Sequence, residues 1–190
     1  ACYNAVLLAS LTASAFAMHL LVREIGASER AAYVGGLIFG FAPYHFTHLI
    51  HLQLQALYWL PLTFLFLHRV FARRRWPDTI ALELAPGLQV ASSTYYAIIG
   101  GIGLVCAAGV LTALTGRSRT SQLAGRLAAA AAIAALIGLP WTIPYLQVAT
   151  ETGAGRTLAE ASRGSAVLGS YFQAPPENLV YGRSGLLRPS

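Results

Sequence analysis

Long apolar stretches alternate with short polar ones along this chain, and six of the apolar stretches predict helices. They run Tyr3–Leu21, Ala31–Tyr44, Leu54–Leu67, Thr79–Ser92, Tyr95–Leu114 and Leu123–Leu146. The first, fifth and sixth are long enough to cross a hydrocarbon core of ~30 Å. The second is rich in Gly, Phe and Ala and is closed by Pro43. The third carries Pro61, which is expected to kink it, as membrane helices tolerate when neighbours re-satisfy the freed carbonyl. The fourth contains Glu83, Pro86, Gly87 and Gln89, and its roughly 14 residues reach only about 21 Å as a helix. It is expected to be a short or partly unwound helix lining the protein interior.

The basic residues decide how these stretches cross. The chain has no Lys, and nine of its 13 Arg residues form three clusters between apolar stretches. Arg23 and Arg30 make the first, Arg69, Arg73, Arg74 and Arg75 the second, and Arg117, Arg119 and Arg126 the third. The intervening polar turns, Pro43–Gln53 and Ser92–Tyr95, contain no Arg. That alternation follows the positive-inside rule. Six crossings place all three clusters in the cytoplasm, whereas omitting the fourth stretch would set two of them on opposite sides. The expected fold is therefore an all-α, polytopic integral membrane bundle over residues 1–149. Residues 150–190 form an extracytoplasmic segment that starts a larger soluble region. Residues 43–53, 92–95 and 147–190 then lie outside, and Tyr44, Tyr58, Trp59, Tyr95, Tyr96, Trp141 and Tyr145 gather at outer helix ends as an aromatic belt.

Composition agrees. Of 190 residues, 56% are hydrophobic and 11% charged, against about 25% charged in soluble domains. Mean hydropathy is +0.57. A net charge of +6 would suggest nucleic acid in a soluble protein, but the Arg residues lie in loops with no basic stripe of interleaved aromatics. The lipid bilayer is the expected partner, and nucleic acid is not. Cys2 and Cys106 fall at different depths, which disfavours a disulfide. The chain opens ACYN without a basic n-region, and we expect it to be an internal piece of a longer protein.

The densest polar constellation is the turn from Tyr44 to Gln55, with His45, His48 and His51 at i, i+3 and i+6. On a helix these three spread over about 120° of one face. Two could meet one ligand, either a metal or, if protonated, a phosphate. The spacing is not the i, i+4 pair of a zinc-binding helix, and no carboxylate lies nearby in sequence. Interfacial hydrogen bonding at the membrane surface is the plainer account of the same residues. Ser92–Tyr96 supplies Tyr95 and Tyr96, whose rings either stack on a sugar or belong to the aromatic belt. Glu83 is the acidic residue inside a predicted span, open to proton coupling, cation binding or a satisfied hydrogen-bonding role. Gly100, Gly101 and Gly103 form a small-residue packing surface. His19 and His68 are expected to be interfacial or core residues. No P-loop, nucleophile elbow or HExxH is present.

The runs Gly35–Tyr44, His48–Gln53, Trp59-Leu60-Pro61-Leu62 with His68-Arg69, and the Ser92–Tyr96 turn form a recognisable series. Pro140, Pro144-Tyr145-Leu146, Ser165-Ala166, Tyr171 and Asn178–Gly182 continue it. In this order the runs together resemble uncharacterised bacterial membrane glycosyltransferases of the GT-C superfamily. The resemblance implies transfer of a sugar from a polyprenyl-phosphate donor to a cell-envelope acceptor at the extracytoplasmic face of the bacterial inner membrane. It implies His48, His51 and Gln53 as donor-binding groups, with Tyr95 and Tyr96 beside them. The superfamily takes its catalytic base from an Asp or Glu in the first extracytoplasmic loop, and the outer turns between spans here contain neither. The base is therefore expected upstream, and this chain alone is expected to be inactive. No cofactor is called for by the residues, and a divalent metal in the full-length protein stays open. The rival readings are a transporter or permease built around Glu83 and a structural membrane protein without chemistry.

Overall fold

A computed structural model describes residues 2–73, 75–115, 120–151, 158–163 and 165 of the chain. Arg74, Arg117, Arg119 and the tail motifs at Ala166, Tyr171, Pro175-Pro176 and 178–182 lie outside the described residues. The described part is helical, without a strand. It divides into two compact units, Ala1–Pro144 and Tyr145–Ser190. In the second, the described residues are the last turns of one long helix and the short helix α8, Leu158–Arg163.

The first unit begins with α1, Cys2–Glu24, whose 23 residues reach about 34 Å. It stops at a Schellman turn: Ala27 N donates to Val22 O, Gly26 N donates to Arg23 O, and Gly26 takes a φ of 97° that glycine tolerates without penalty. The Ser28 hydroxyl then caps α2, Glu29–Gly40, by accepting from Ala31 N at 3.3 Å. The two helices pack closely because α2 presents glycines. A Cβ on Gly36 would stand 2.6 Å from Ala15 O, and one on Gly40 would stand 2.5 Å from Ala15 Cβ. This Gly-x-x-x-Gly contact is the tightest helix approach among the described glycines, and it was not among the expected packing surfaces.

A short helix α3, Pro43–Thr47, and a 3₁₀ turn at Leu52–Leu54 lead into α4, Trp59–Arg73. The expected kink at Pro61 is absent from the helix interior for a simple reason. Helix α4 starts at Trp59, so Pro61 occupies its first turn, where a missing N–H costs nothing. The fourth stretch is a helix throughout: α5 runs Trp76–Ser92 with Pro86 inside it, so no unwound portion is seen. Asp78 in its first turn suits the positive helix end. Helices α6, Thr94–Thr115, and α7, Thr120–Glu151, follow, and α7 contains Pro140 and Pro144.

The core lies between α4, α5, α6 and α7, where Leu67, Val70, Phe71, Leu82 and Ala130 are buried against one another. Of the expected glycine surface on α6, Gly100 faces Leu60 and Gly103 faces Phe64 of α4, while Gly101 meets nothing. The other side of α6 is open: Ile98, Ile99, Ile102, Val105 and Leu114 are all exposed. A helix apolar on every side is suited to lipid. Two helices, α1 and α6, are long and apolar enough to cross a membrane, and a third counts if the bent pair Ala124–Pro140 and Thr142–Val148 is one span. Helices α2, α4 and α5, with 12, 15 and 17 residues, reach only about 18 to 25 Å. Six spans are therefore an expectation beyond what these lengths give.

Candidate functional site: a polar turn over an apolar cavity

The turn between α2 and α4 is organised by one buried amide. Gln55 is fully buried, and its Oε1 lies 2.7 Å from His45 Nδ1, itself 1% exposed. Its Nε2 donates to His45 O at 3.2 Å and His48 O at 2.8 Å. Those two carbonyls would receive N–H groups from later residues if α3 continued as a helix. They accept from the amide and, in tighter i+3 turns, from His48 N at 3.3 Å and His51 N at 3.0 Å, and α3 ends at Thr47. The three histidines consequently do not share one helix face. His45 turns inward onto Gln55, His48 caps α3, and His51 precedes the 3₁₀ turn.

His48 and His51 nevertheless stay together. The Tyr44 ring stacks on His48 with centroids 4.2 Å apart, and the His48 and His51 centroids are 6.4 Å apart. His48 Nδ1 sits 2.9 Å from both Tyr44 O and Thr47 Oγ1, so that nitrogen is engaged and Nε2 is the one left for a ligand. His51 and Gln53 are exposed, as is Tyr95. Tyr3 Oη donates to Leu49 O and ties the start of α1 to the turn. Among the described residues no group of three or more His, Cys, Asp or Glu side chains is placed to hold a metal.

The turn is stitched to the bundle through Gln89 of α5, whose Nε2 donates to Ala56 O at 3.2 Å. Gln89 also lines a cavity of about 460 Å³ between α4, α5, α6 and α7. Its walls are aliphatic, from Leu60 and Leu82 to Leu104, Val105 and Leu127, with small residues of α6 and α7 leaving the space open. Small side chains make the room: Gly100, Gly101, Ala130, Ala131 and Ala134 all face it. Tyr96 lines the same end, half-buried, with the Tyr44 side chain as its polar neighbour but without a hydrogen bond of normal geometry. Of the expected site residues, the structure thus brings His48 and His51 into one turn and Tyr96 onto the cavity wall. Tyr95 points away. Glu83 is half-buried on α5, does not line the cavity, and has no ion-pair or hydrogen-bond partner among the described residues.

At the opposite end of the bundle an ionic centre appears that was not expected. Glu24, at the end of α1, has a side chain 7% exposed. Its oxygens receive Arg69 Nε at 3.0 Å and Arg73 Nη2 at 2.6 Å, with His68 Nδ1 at 3.9 Å. A second pair of contacts joins Glu29 to Arg23 at 2.9 Å and His19 at 3.4 Å. His19 and His68 are therefore partners of carboxylates and not isolated residues. The i, i+4 spacing of Arg69 and Arg73 was the available signal. What it lacked was any hint that the end of α1 would meet the end of α4. Nearby, Arg126 of α7 donates to Thr79 Oγ1 at 3.2 Å and lies over the Trp76 ring, 5.2 Å from its centroid.

Fold and site together define a helical chain with two helices long and apolar enough to cross a membrane, an apolar cavity, and a histidine-bearing segment tied to the cavity wall by the bond from Gln89 to Ala56 O. Comparison with protein-family models, curated proteins and solved structures finds no match.

Proposed function

We propose that this chain is the substrate-binding part of a membrane glycosyltransferase that uses a polyprenyl-phosphate sugar donor. The observation that carries the reading is the link between the two features above: Gln89, on the wall of an aliphatic cavity between helices, is hydrogen-bonded to Ala56 O of the segment that carries His48 and His51. Lipid-borne substrates need an apolar space reached from the bilayer and a polar station where the head reacts. In this reading all six apolar stretches cross the bacterial inner membrane, the short ones by burial among the others, and the Arg-rich ends face the cytoplasm. The turn then faces outward. His48 Nε2 and His51 contact the donor phosphate, Gln53 and Tyr96 hydrogen-bond the head, and Tyr95 belongs to the aromatic belt. The general base that removes the acceptor proton comes from a carboxylate outside this chain. Glu83 lies off the cavity wall, so the permease reading gains no path from it.

The test is saturable binding of a radiolabelled polyprenyl-phosphate hexose to the purified chain in nanodiscs. Binding should be displaced by polyprenyl phosphate and not by free hexose. His48→Ala should weaken it about tenfold, as loss of one charge-assisted contact of ~1.5 kcal/mol implies. Absence of saturable binding to the wild-type chain sinks the reading.

A further inference from the structure

The seam between α1 and α2 forms a groove of about 320 Å³ that shares no residue with the cavity or with the His48–His51 turn. Ala15 and Gly36, where the two helices touch, give its floor. Phe16 stands on one bank and Tyr33 and Leu37 on the other, all three exposed. Towards the Gly26 turn the lining becomes ionic, with His19 from α1 and Glu29 from α2. Between Glu29 and Leu37 the helix α2 rises about 12 Å. Polarity thus changes along the groove as it does along a membrane lipid. Helix α1 is long and apolar enough to cross a membrane, and α2 is held against it at Gly36 and Gly40. Where α1 crosses the bilayer, the groove meets acyl chains and its ionic end meets head groups.

The charges at that end select the head. The Glu29 side chain is 67% exposed, with Arg23 Nε at 2.9 Å and His19 Nε2 at 3.4 Å from its oxygens. A carboxylate offers about four acceptor sites, so lone pairs remain for N–H donors arriving from the groove. Arg30, the next residue, is exposed and has no ion pair among the described residues. It stands i, i+3 from Tyr33, which sets the two on one face of α2. A head that carries both an N–H-bearing cation and a phosphate matches this pair of charges. An anionic head without a cation meets Glu29 as a like charge. A quaternary ammonium has no N–H to donate and is recognised by a cage of ring faces, whereas Phe16 stacks on His19, with centroids 6.3 Å apart. We propose that this groove binds an ethanolamine phospholipid of the bilayer. Its ammonium donates to Glu29, its phosphate pairs with Arg30 and accepts from Tyr33 Oη, and one acyl chain lies between Phe16 and Leu37. The site requires α1 in the bilayer and no transfer reaction.

The experiment is photolabelling of the full chain in detergent micelles by phosphatidylethanolamine with a diazirine on one acyl chain, with adducts mapped by mass spectrometry. Labelling should fall on α1 and α2 around Phe16 and Leu37. Unlabelled dioleoyl phosphatidylethanolamine should compete at about tenfold lower concentration than dioleoyl phosphatidylcholine or phosphatidylglycerol, the factor that one charge-assisted hydrogen bond gives. Glu29→Gln keeps the shape of an exposed side chain and should erase the preference for ethanolamine over choline. Arg30→Gln should weaken competition by both lipids alike, since both carry the phosphate. Equal competition by the three lipids, preference for phosphatidylglycerol, an ethanolamine preference that survives Glu29→Gln, or labelling confined to other helices overturns the proposal. The donor-binding test turns on His48 and a sugar phosphate, so either result can stand without the other.

Discussion

A single carboxylate, Glu24, holds two guanidinium groups while nearly out of solvent. It sits at the negative end of α1, where an anion is disfavoured by about 0.3–1 kcal/mol, so its presence there needs compensation. Arg69 and Arg73 supply it, one turn apart on α4 and close to that helix's own C-terminus. Glu24→Gln keeps the shape and removes the charge. Both Arg side chains retain access to water, which softens the loss, and we expect about 2 kcal/mol of destabilisation. Unfolding of the detergent-solubilised chain would register it. In a double-mutant cycle with Arg69→Gln, the two losses should fall short of additivity by about 1 kcal/mol. Additive losses would mean the contact is incidental. Such long-range pairing was illegible in the sequence, where Glu24 and Arg69 are 45 positions apart. The His turn failed for a related reason. Its periodicity was visible, but after Thr47 the chain passes into i+3 turns whose carbonyls also accept from the Gln55 amide, and no local pattern announces that arrangement.

Elements declare themselves in proportion to their length. Helices α1 and α6 were plain from uninterrupted apolar runs, while α5 was weakly marked, its apolar stretch being interrupted by Glu83 and Pro86. The surfaces on which the elements meet were less plain. A Gly-rich run marks a place where backbones can approach, yet the closest approach falls at Gly36 and Gly40, while Gly101 and Gly109 face open space. Substitution separates the two kinds. Gly40→Ala drives a Cβ to within 2.7 Å of Ala15 N, a backbone atom that cannot swing aside, and should destabilise by about 1–3 kcal/mol. Gly109→Ala should be neutral or stabilising by up to about 1 kcal/mol, because alanine is the better helix former and nothing opposes its methyl. Thermal unfolding of both variants checks this. A Gly40→Ala chain as stable as wild type would mean that α1 and α2 pack less tightly than their separation implies.

At the scale of the whole molecule, orientation is the quantity to measure. The two native cysteines are free and exposed, so Cys2→Ser and Cys106→Ser give a clean background for labelling. Ile50 in the turn is 84% exposed, and Arg75 lies at the end of the bundle where Glu24 sits. In intact cells a membrane-impermeant maleimide should label Ile50→Cys and leave Arg75→Cys untouched until the membrane is opened. The reverse pattern would invert the topology and place the His48–His51 turn in the cytoplasm, away from lipid-phosphate sugars. The close seam between α1 and α2 has a bearing on how such a chain enters a bilayer. With 12 residues, α2 is too short to hold a transmembrane position by its own apolar length. Joined to α1 by a four-residue turn and locked to Ala15 through two glycines, it can cross as the second arm of a hairpin, with α1 carrying it in. On the proposed six-span reading, insertion would proceed by pairs of helices, and a fault at Gly36 or Gly40 would be a fault of biogenesis before it is one of stability.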